Sequence, residues 1–173
     1  MRETLCDLKT RRSCRKYRPE QIKEEELSAI LEAGTYAPTG MGAQSPVIVA
    51  VQDRETRDLL SRLNAAVLGG EGDPFYGAPT VLVVLADRRR GTFLEDGNMV
   101  MANLLNAAHA VGVDSCYIYR AREVFRSEEG RALLKQWGLT EDYEGIGNCI
   151  LGYGLPEGIK AAAPRKENYV IRI

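Results

Sequence analysis

Histidine is nearly missing from this chain: His109 is the only one in 173 residues. Any Ser-His or Cys-His nucleophilic dyad would have to use it. His109 lies in the run Ala107, Ala108, His109, Ala110, Val111, an apolar helical setting that suits a packed structural histidine, so acyl transfer is disfavoured. Paired cysteines are missing too. Cys6, Cys14, Cys116 and Cys149 are scattered, with no Cys-x-x-Cys spacing and no histidine at ligand spacing. A zinc site or disulfide framework is therefore disfavoured, and reduced, mostly buried thiols are expected.

Long hydrophobic runs are also lacking. Residues 81–86 form one of the longest, far below the roughly 18 residues needed to span a bilayer. Residues 1–8 are charged and lack the apolar centre of a signal peptide, so the expectation is a cytoplasmic protein with no membrane partner. Nor does one sign of charge dominate. Lysine and arginine number 23 against 24 acids, a net charge of -1, whereas nucleic-acid binding usually leaves a basic balance over the whole domain. No internal repeat is visible, and the Rossmann glycine fingerprint fails. Gly145 and Gly147 are followed by Ile150 where a third glycine is needed, and Gly152 and Gly154 by Glu157. A nicotinamide cofactor, if used, is not held in that fold.

Against this neutral background stands the block Arg11, Arg12, Ser13, Cys14, Arg15, Lys16, Tyr17, Arg18. Guanidinium forks match phosphate oxygens, and Ser13 adds a short donor that can sit close to the same oxygens. The block reads as a seat for a small anion. A solvated surface run is the competing reading of the same residues, and a nucleic-acid contact is a third.

The length fits one domain, residues 1–173, with a substantial core. Leu5, Leu8 and the basic block predict a short first helix that runs into the anion seat and is closed by Pro19. Residues 24–34 predict a helix, with Leu27, Ile30 and Leu31 on one face, acids in the first turn and Gly34 as its stop. Residues 36–46 are a loop of prolines, glycines and small polar residues, either a connector or a place where backbone approaches a ligand. Residues 47–52 read as a strand, 54–63 as an amphipathic helix, and 65–77 as a mobile flap or loose connection. Residues 80–87 are apolar throughout and read as a central strand. Arg88, Arg89 and Arg90 follow as a solvated turn, with recognition of a nucleotide phosphate as the other option.

Residues 96–111 contain no ionisable group besides Asp96 and His109, which predicts a helix buried on every side. Packing against a second copy of the chain meets that need most simply. Gly112 ends this helix. A strand over 114–119, a helix over 128–137 stopped by Gly138, a core strand over 147–153 and an extended tail over 169–173 complete the prediction.

In their order and spacing, four motifs resemble the nitroreductase-like FMN-dependent oxidoreductases over nearly the whole chain. They are Arg11, Arg12, Ser13, Cys14, Arg15, Lys16, Tyr17; Ala37, Pro38, Thr39, Gly40 through Gln44; the helix carrying Asn103 and ending at Gly112, with Ser115, Cys116, Tyr117 and Ile118 after it; and Gly152, Tyr153, Gly154 followed by Arg165 and Lys166. The resemblance implies an α+β three-layer sandwich, with a mostly antiparallel sheet flanked by helices, in a domain-exchanged homodimer whose C-terminal strand crosses to the partner. It implies FMN at the dimer interface. Arg11, Arg12 and Ser13 would hold the phosphate and ribityl chain, Arg165 or Lys166 would close on the phosphate, and Arg15 would reach the pyrimidine edge of the ring. Pro38, Thr39, Gly40 and Gln44 would come from the neighbouring subunit, and Tyr117, Ile118 and Tyr119 would run beside the isoalloxazine.

The implied activity is transfer of hydride from NADH or NADPH, through FMN, to a nitroaromatic, a quinone or a related small electron-poor acceptor by a ping-pong mechanism. The cofactor carries the difficult chemistry and the protein supplies position and charge. A flavin carrier or sensor without turnover is the alternative. The sequence departs from the family pattern at Gly42, Ser45 and Pro46 in the partner loop, and at Tyr119 and Arg120, where many relatives have glycines. The chain also lacks the helices that larger members insert over the site. A more open or differently gated pocket is the expectation.

Overall fold

Runs of valine, isoleucine and leucine form the sheet of the computed structural model, which describes residues 3–140 and 142–173. The strands are β1 (Pro46–Val51), β2 (Thr80–Asp87), β3 (Asp114–Ile118) and β4 (Tyr143–Gly152), in the order β1-β2-β4-β3 with every neighbouring pair antiparallel. Val49 faces Val83, Val83 faces Asn148, and Cys116 faces Ile150. The register slips between Val84 and Leu85, so that Ile146 is bulged out of β4. The Tyr117 hydroxyl donates to the carbonyl of that bulged residue at 2.9 Å.

Among the described residues there are six α-helices: α1 (Glu3–Thr10), α2 (Glu24–Thr35), α3 (Arg54–Leu68), α4 (Phe93–Ala110), α5 (Ala121–Arg126) and α6 (Glu128–Gln136). Their starts are specified locally. Asp53 accepts the Thr56 amide at 2.8 Å, Ser127 accepts the Gly130 amide at 3.0 Å, and Glu26 accepts the Lys23 amide at 3.0 Å, each satisfying a donor that no helical carbonyl could reach or fixing the entry of the chain. Helices α3, α5 and α6 cover one face of the sheet through Leu60, Phe125, Leu133 and Leu134 against Val83 and Ile150. Helices α2 and α4 cover the other through Ile30, Met101 and Leu104 against Leu82, Val84 and Cys149. The result is an α+β sandwich of three layers. Thr80 to Ala86 of β2 are all buried because the strand has neighbours on both edges and helices on both faces. Each of its valines and leucines stabilises the fold by about 1.5–3 kcal/mol through burial.

The structure revises several expectations. The first helix stops at Thr10, and the basic block is extended rather than helical: Ser13 bridges Ser115, Cys14 bridges Ile159 and Tyr17 bridges Gly154. Gly34 does not end α2 by a left-handed turn. It packs, since a Cβ there would lie 2.6 Å from Leu104 Cδ2 and 2.8 Å from Ile48 Cδ1. Helix α3 runs five residues beyond the expected end, to Leu68, and closes on Gly69 at φ 79°. The segment after it is no loose flap at its far end, because Phe75 is fully buried and Asp73 accepts the amides of Phe75 and Gly77. Helix α5 was not anticipated, and β4 begins four residues earlier than expected. Helix α4 buries one face only: Val100, Met101, Leu104 and Ala108 face the sheet, while Met99 is exposed.

Candidate functional site

The extended basic segment owes its place to the pairings just described. The Cys14 amide donates to the Ser115 carbonyl at 3.0 Å, Arg15 N to Gly158 O at 2.9 Å, and Arg18 N to Tyr153 O at 2.9 Å. The segment is thereby laid between the start of β3 and the loop that follows β4. Tyr17, nearly buried, donates its hydroxyl to the Cys14 carbonyl at 2.8 Å. Burial pushes this phenol well above its ordinary pKa, and it does the same to the Cys14 and Cys149 thiols. None of the three is poised as an anionic nucleophile near neutral pH.

What remains at the surface is cationic. Arg11, Arg12, Ser13 and Arg165 line one open groove of about 780 Å3 together with Lys9 and the alanines at 161, 162 and 163. Among the described residues no carboxylate lines it. Arg12 is partly committed, donating to the carbonyls of Lys9 at 2.8 Å and Arg11 at 2.6 Å at the end of α1. Arg11 differs: its Nη1 is buried and has no acceptor among the described residues, and the same is true of Ser115 Oγ beside Ser13. A buried guanidinium nitrogen without a partner carries a desolvation cost that an incoming oxyanion would relieve. The groove therefore suits a dianionic phosphate group, and with it the phosphate end of FMN.

The other residues expected at the site lie elsewhere in the single chain. Arg15 is exposed and is not among the residues that line the groove. The Lys166 ammonium sits 5.2 Å from the centre of the Tyr169 ring instead of in the groove. Thr39 and Gln44 line a second, more apolar pocket of about 400 Å3 with Gly34, Ala37, Ile48 and Val100, and Pro38 and Gly40 belong to the same loop. That loop is strained, with Met41 at φ 55° and Gln44 at φ 48°. It is tied down by Asp96, which accepts from Gly40 N at 2.8 Å, Thr92 Oγ1 at 3.0 Å and Ser45 Oγ at 3.4 Å. Tyr117 points at the α2–α4 layer, Ile118 is buried in the opposite core, and Tyr119 is 59% exposed. Arg120 takes φ 77°, held by Asn64, which accepts from Arg120 Nε at 3.1 Å and donates to Tyr119 O at 2.8 Å.

Ser115 was part of the third motif but was given no role of its own, and Asn64 and the alanines of the groove wall carry no mark in the sequence that would have picked them out. Asp96 did carry one, as an acid in an otherwise apolar helix.

Residues 8–73, which include the basic segment and the Gly40 loop, match the Nitroreductase family. A protein of Archaeoglobus fulgidus, provisionally named NADH dehydrogenase/NAD(P)H nitroreductase, is 30% identical over 159 residues, covering 88% of this chain and 86% of the relative. A nitroreductase of Bacteroides fragilis solved with bound FMN superposes with a TM-score of 0.91 at 27% identity over 100% of both chains. Another with bound FMN, from Desulfitobacterium hafniense, superposes with a TM-score of 0.89 at 26% identity, covering 100% of this chain and 99% of that one. With its length, its layers and its basic segment all matched in this way, the chain belongs to the nitroreductase family.

Proposed function

We propose that this protein is an FMN-dependent oxidoreductase that uses NADH or NADPH to reduce a small electron-poor acceptor such as a nitroaromatic or a quinone, by a ping-pong mechanism, as a cytoplasmic homodimer. The observation that carries the reading is the buried, unpartnered Nη1 of Arg11, a residue of a groove whose charged lining residues are all cationic. Arg11, Arg12 and Ser13 bind the phosphate there, and Arg165 or Lys166 closes on it from the C-terminal side, Arg165 being the one already in the groove. FMN held there would supply the hydride-transfer chemistry between nicotinamide and acceptor, leaving position and charge to these residues. Arg15 supplies positive charge toward the pyrimidine edge, and the strand end at Tyr117, Ile118 and Tyr119 runs beside the ring. Pro38, Thr39, Gly40 and Gln44 serve the site of the neighbouring copy, on a loop that Asp96 holds in shape.

The dimer is supported by what a single chain leaves uncovered. Met99 is exposed on α4, and Tyr169, Val170, Ile171 and Ile173 are all at least 70% exposed in the tail. So much apolar surface on a short segment calls for a partner, and a tail that crosses to the second copy supplies one.

Anaerobic titration of the purified protein tests the reading. NADH or NADPH should bleach an oxidised-flavin absorption, and a nitroaromatic should restore it. A Arg11→Ala/Ser13→Ala double variant should lose FMN, because each charged hydrogen bond to phosphate contributes about 1.5–3 kcal/mol. Colourless wild-type protein that takes up no added FMN would overturn the proposal.

A further inference from the structure

Arginines gather a second time at the opposite end of the sheet. Arg88, Arg122, Arg126 and Arg131 line a small cavity of about 80 Å3 with Phe125, Tyr143, Glu144 and Gly145. Three parts of the chain bring them together: the turn after β2 supplies Arg88, α5 supplies Arg122 and Arg126, and α6 supplies Arg131. Tyr143 begins β4, whereas Ser13 pairs with Ser115 opposite Leu151 near its other end. At the usual rise of a strand, the two ends of β4 stand roughly 30 Å apart. This cavity is not an extension of the groove at Arg11.

The charges do not balance. Glu144, 5% exposed, is the one carboxylate lining the cavity among the described residues. Both Arg122 Nε, at 3.2 Å, and Arg126 Nη2 pair with the same oxygen, Oε1, as ion pairs without the directed geometry of hydrogen bonds. Asp142 stands at the rim, 3.9 Å from Arg88 Nη2, and is shared with Arg89 Nη1 at 3.5 Å. Arg89 is itself occupied by a fork to Asp87, whose carboxyl it holds down at about 2. Arg131 gives one N–H to the Arg126 carbonyl at 2.6 Å. Each guanidinium carries five N–H donors, so most of those around the cavity are uncommitted to protein acceptors. One cation neutralises one carboxylate, whereas Glu144 already pairs with both Arg122 and Arg126, and Arg88 and Arg131 line the same cavity without an ion pair to it.

We infer that this cavity is a second oxyanion site, which takes a phosphate group, either as free phosphate or as a terminal phosphomonoester, clamped between Arg88, Arg126 and Arg131 while Arg122 and Glu144 brace its floor. The cavity volume suits one tetrahedral oxyanion and leaves no space for a sugar or base, which would remain outside beyond Arg88 and Arg126, side chains that are 52% and 64% exposed. Arginine is the side chain fitted to that task, since its planar fork meets two phosphate oxygens at once. The 2′-phosphate of NADPH is one source of such a monoester, and inorganic phosphate is the other.

Thermal denaturation at matched ionic strength tests the inference, with sodium phosphate compared against sodium chloride. It should be run on protein saturated with FMN and again in an Arg11→Ala/Ser13→Ala background, so that the groove at α1 contributes to neither result. Phosphate should raise the midpoint saturably. Arg88→Ala/Arg131→Ala, which leaves Glu144 its two partners, should weaken that affinity by roughly tenfold or more, while Arg62→Ala on the exposed side of α3 should not. If the group enters only as an ester, NADP+ should raise the midpoint more than NAD+ does, and the double variant should abolish that difference. Absence of both effects, or their survival in Arg88→Ala/Arg131→Ala, would overturn the site, whatever the outcome for flavin.

Discussion

Asp96, in the first turns of α4, accepts the amide of Gly40 at 2.8 Å across 56 residues of sequence. One buried carboxylate thus fixes the loop that contains Pro38, Thr39 and Gln44 to the most apolar helix of the fold. The expected consequence of Asp96→Ala is a loss of about 2 kcal/mol, because the half-buried amide of Gly40 and the buried hydroxyl of Ser45 lose their acceptor. Asp96→Asn keeps one acceptor oxygen and should lose less. Chemical denaturation measures both, and equal stability of Asp96→Ala and wild type would show that the loop does not depend on this contact.

Asp73 is the corresponding hub on the other face of the sheet. Burial pushes its carboxyl up, but bonds from Arg57 at 2.6 Å, Ser61 at 2.6 Å, and the amides of Gly77 and Phe75 outweigh burial and hold it below its ordinary value of 3.8. A carboxyl whose folded pKa is depressed binds fewer protons folded than unfolded, so its stabilisation is present above the unfolded pKa and disappears as pH falls through the folded one. Asp73→Asn should therefore be less stable than wild type at pH 7, and the gap should narrow below about pH 4. A gap that stays constant from pH 7 to pH 3 would show that the charge contributes nothing.

Strand β2 was legible to the residue, because an unbroken apolar run admits burial on both faces and little else. The basic segment was legible in composition but not in shape. Helix α1 ends at Thr10 because the residues after it pair with Ser115, Gly154 and Ile159, all more than 100 positions away, and no local pattern encodes those partners. Helix α5 is six residues long and is preceded by Arg120 in a left-handed conformation, held by a bond to Asn64, which lies on a different helix. The four arginines of the second cavity are likewise dispersed over 44 positions of sequence, from Arg88 to Arg131, and only folding collects them.

Gly34 offers a test of packing. Its Cβ position is filled by Leu104 Cδ2 and Ile48 Cδ1, so α2 lies close against α4 and β1 only because no side chain intervenes. Gly34→Ala favours the helix locally yet should destabilise the fold by about 1–3 kcal/mol through overpacking. Thermal or chemical denaturation decides the sign: a stabilised variant would mean that the two aliphatic tips move aside at little cost.

Met99 separates the proposed dimer from the fold of a single chain. It is 43% exposed on the outer side of α4, opposite Val100, Met101 and Leu104, which face the sheet. Met99→Glu should leave the stability of one chain nearly unchanged, since the carboxylate would stand in water. In a symmetric dimer packed through α4 the same change buries two unpaired charges, one from each copy, at several kcal/mol each. Sedimentation should then show a monomer with the circular dichroism of the wild type. Because the loop bearing Thr39, Gly40 and Gln44 is proposed to serve the neighbouring copy, that monomer should also hold FMN more weakly, by an amount that raising the protein concentration recovers. A Met99→Glu protein that stays dimeric and fully loaded with flavin would place the interface somewhere other than α4.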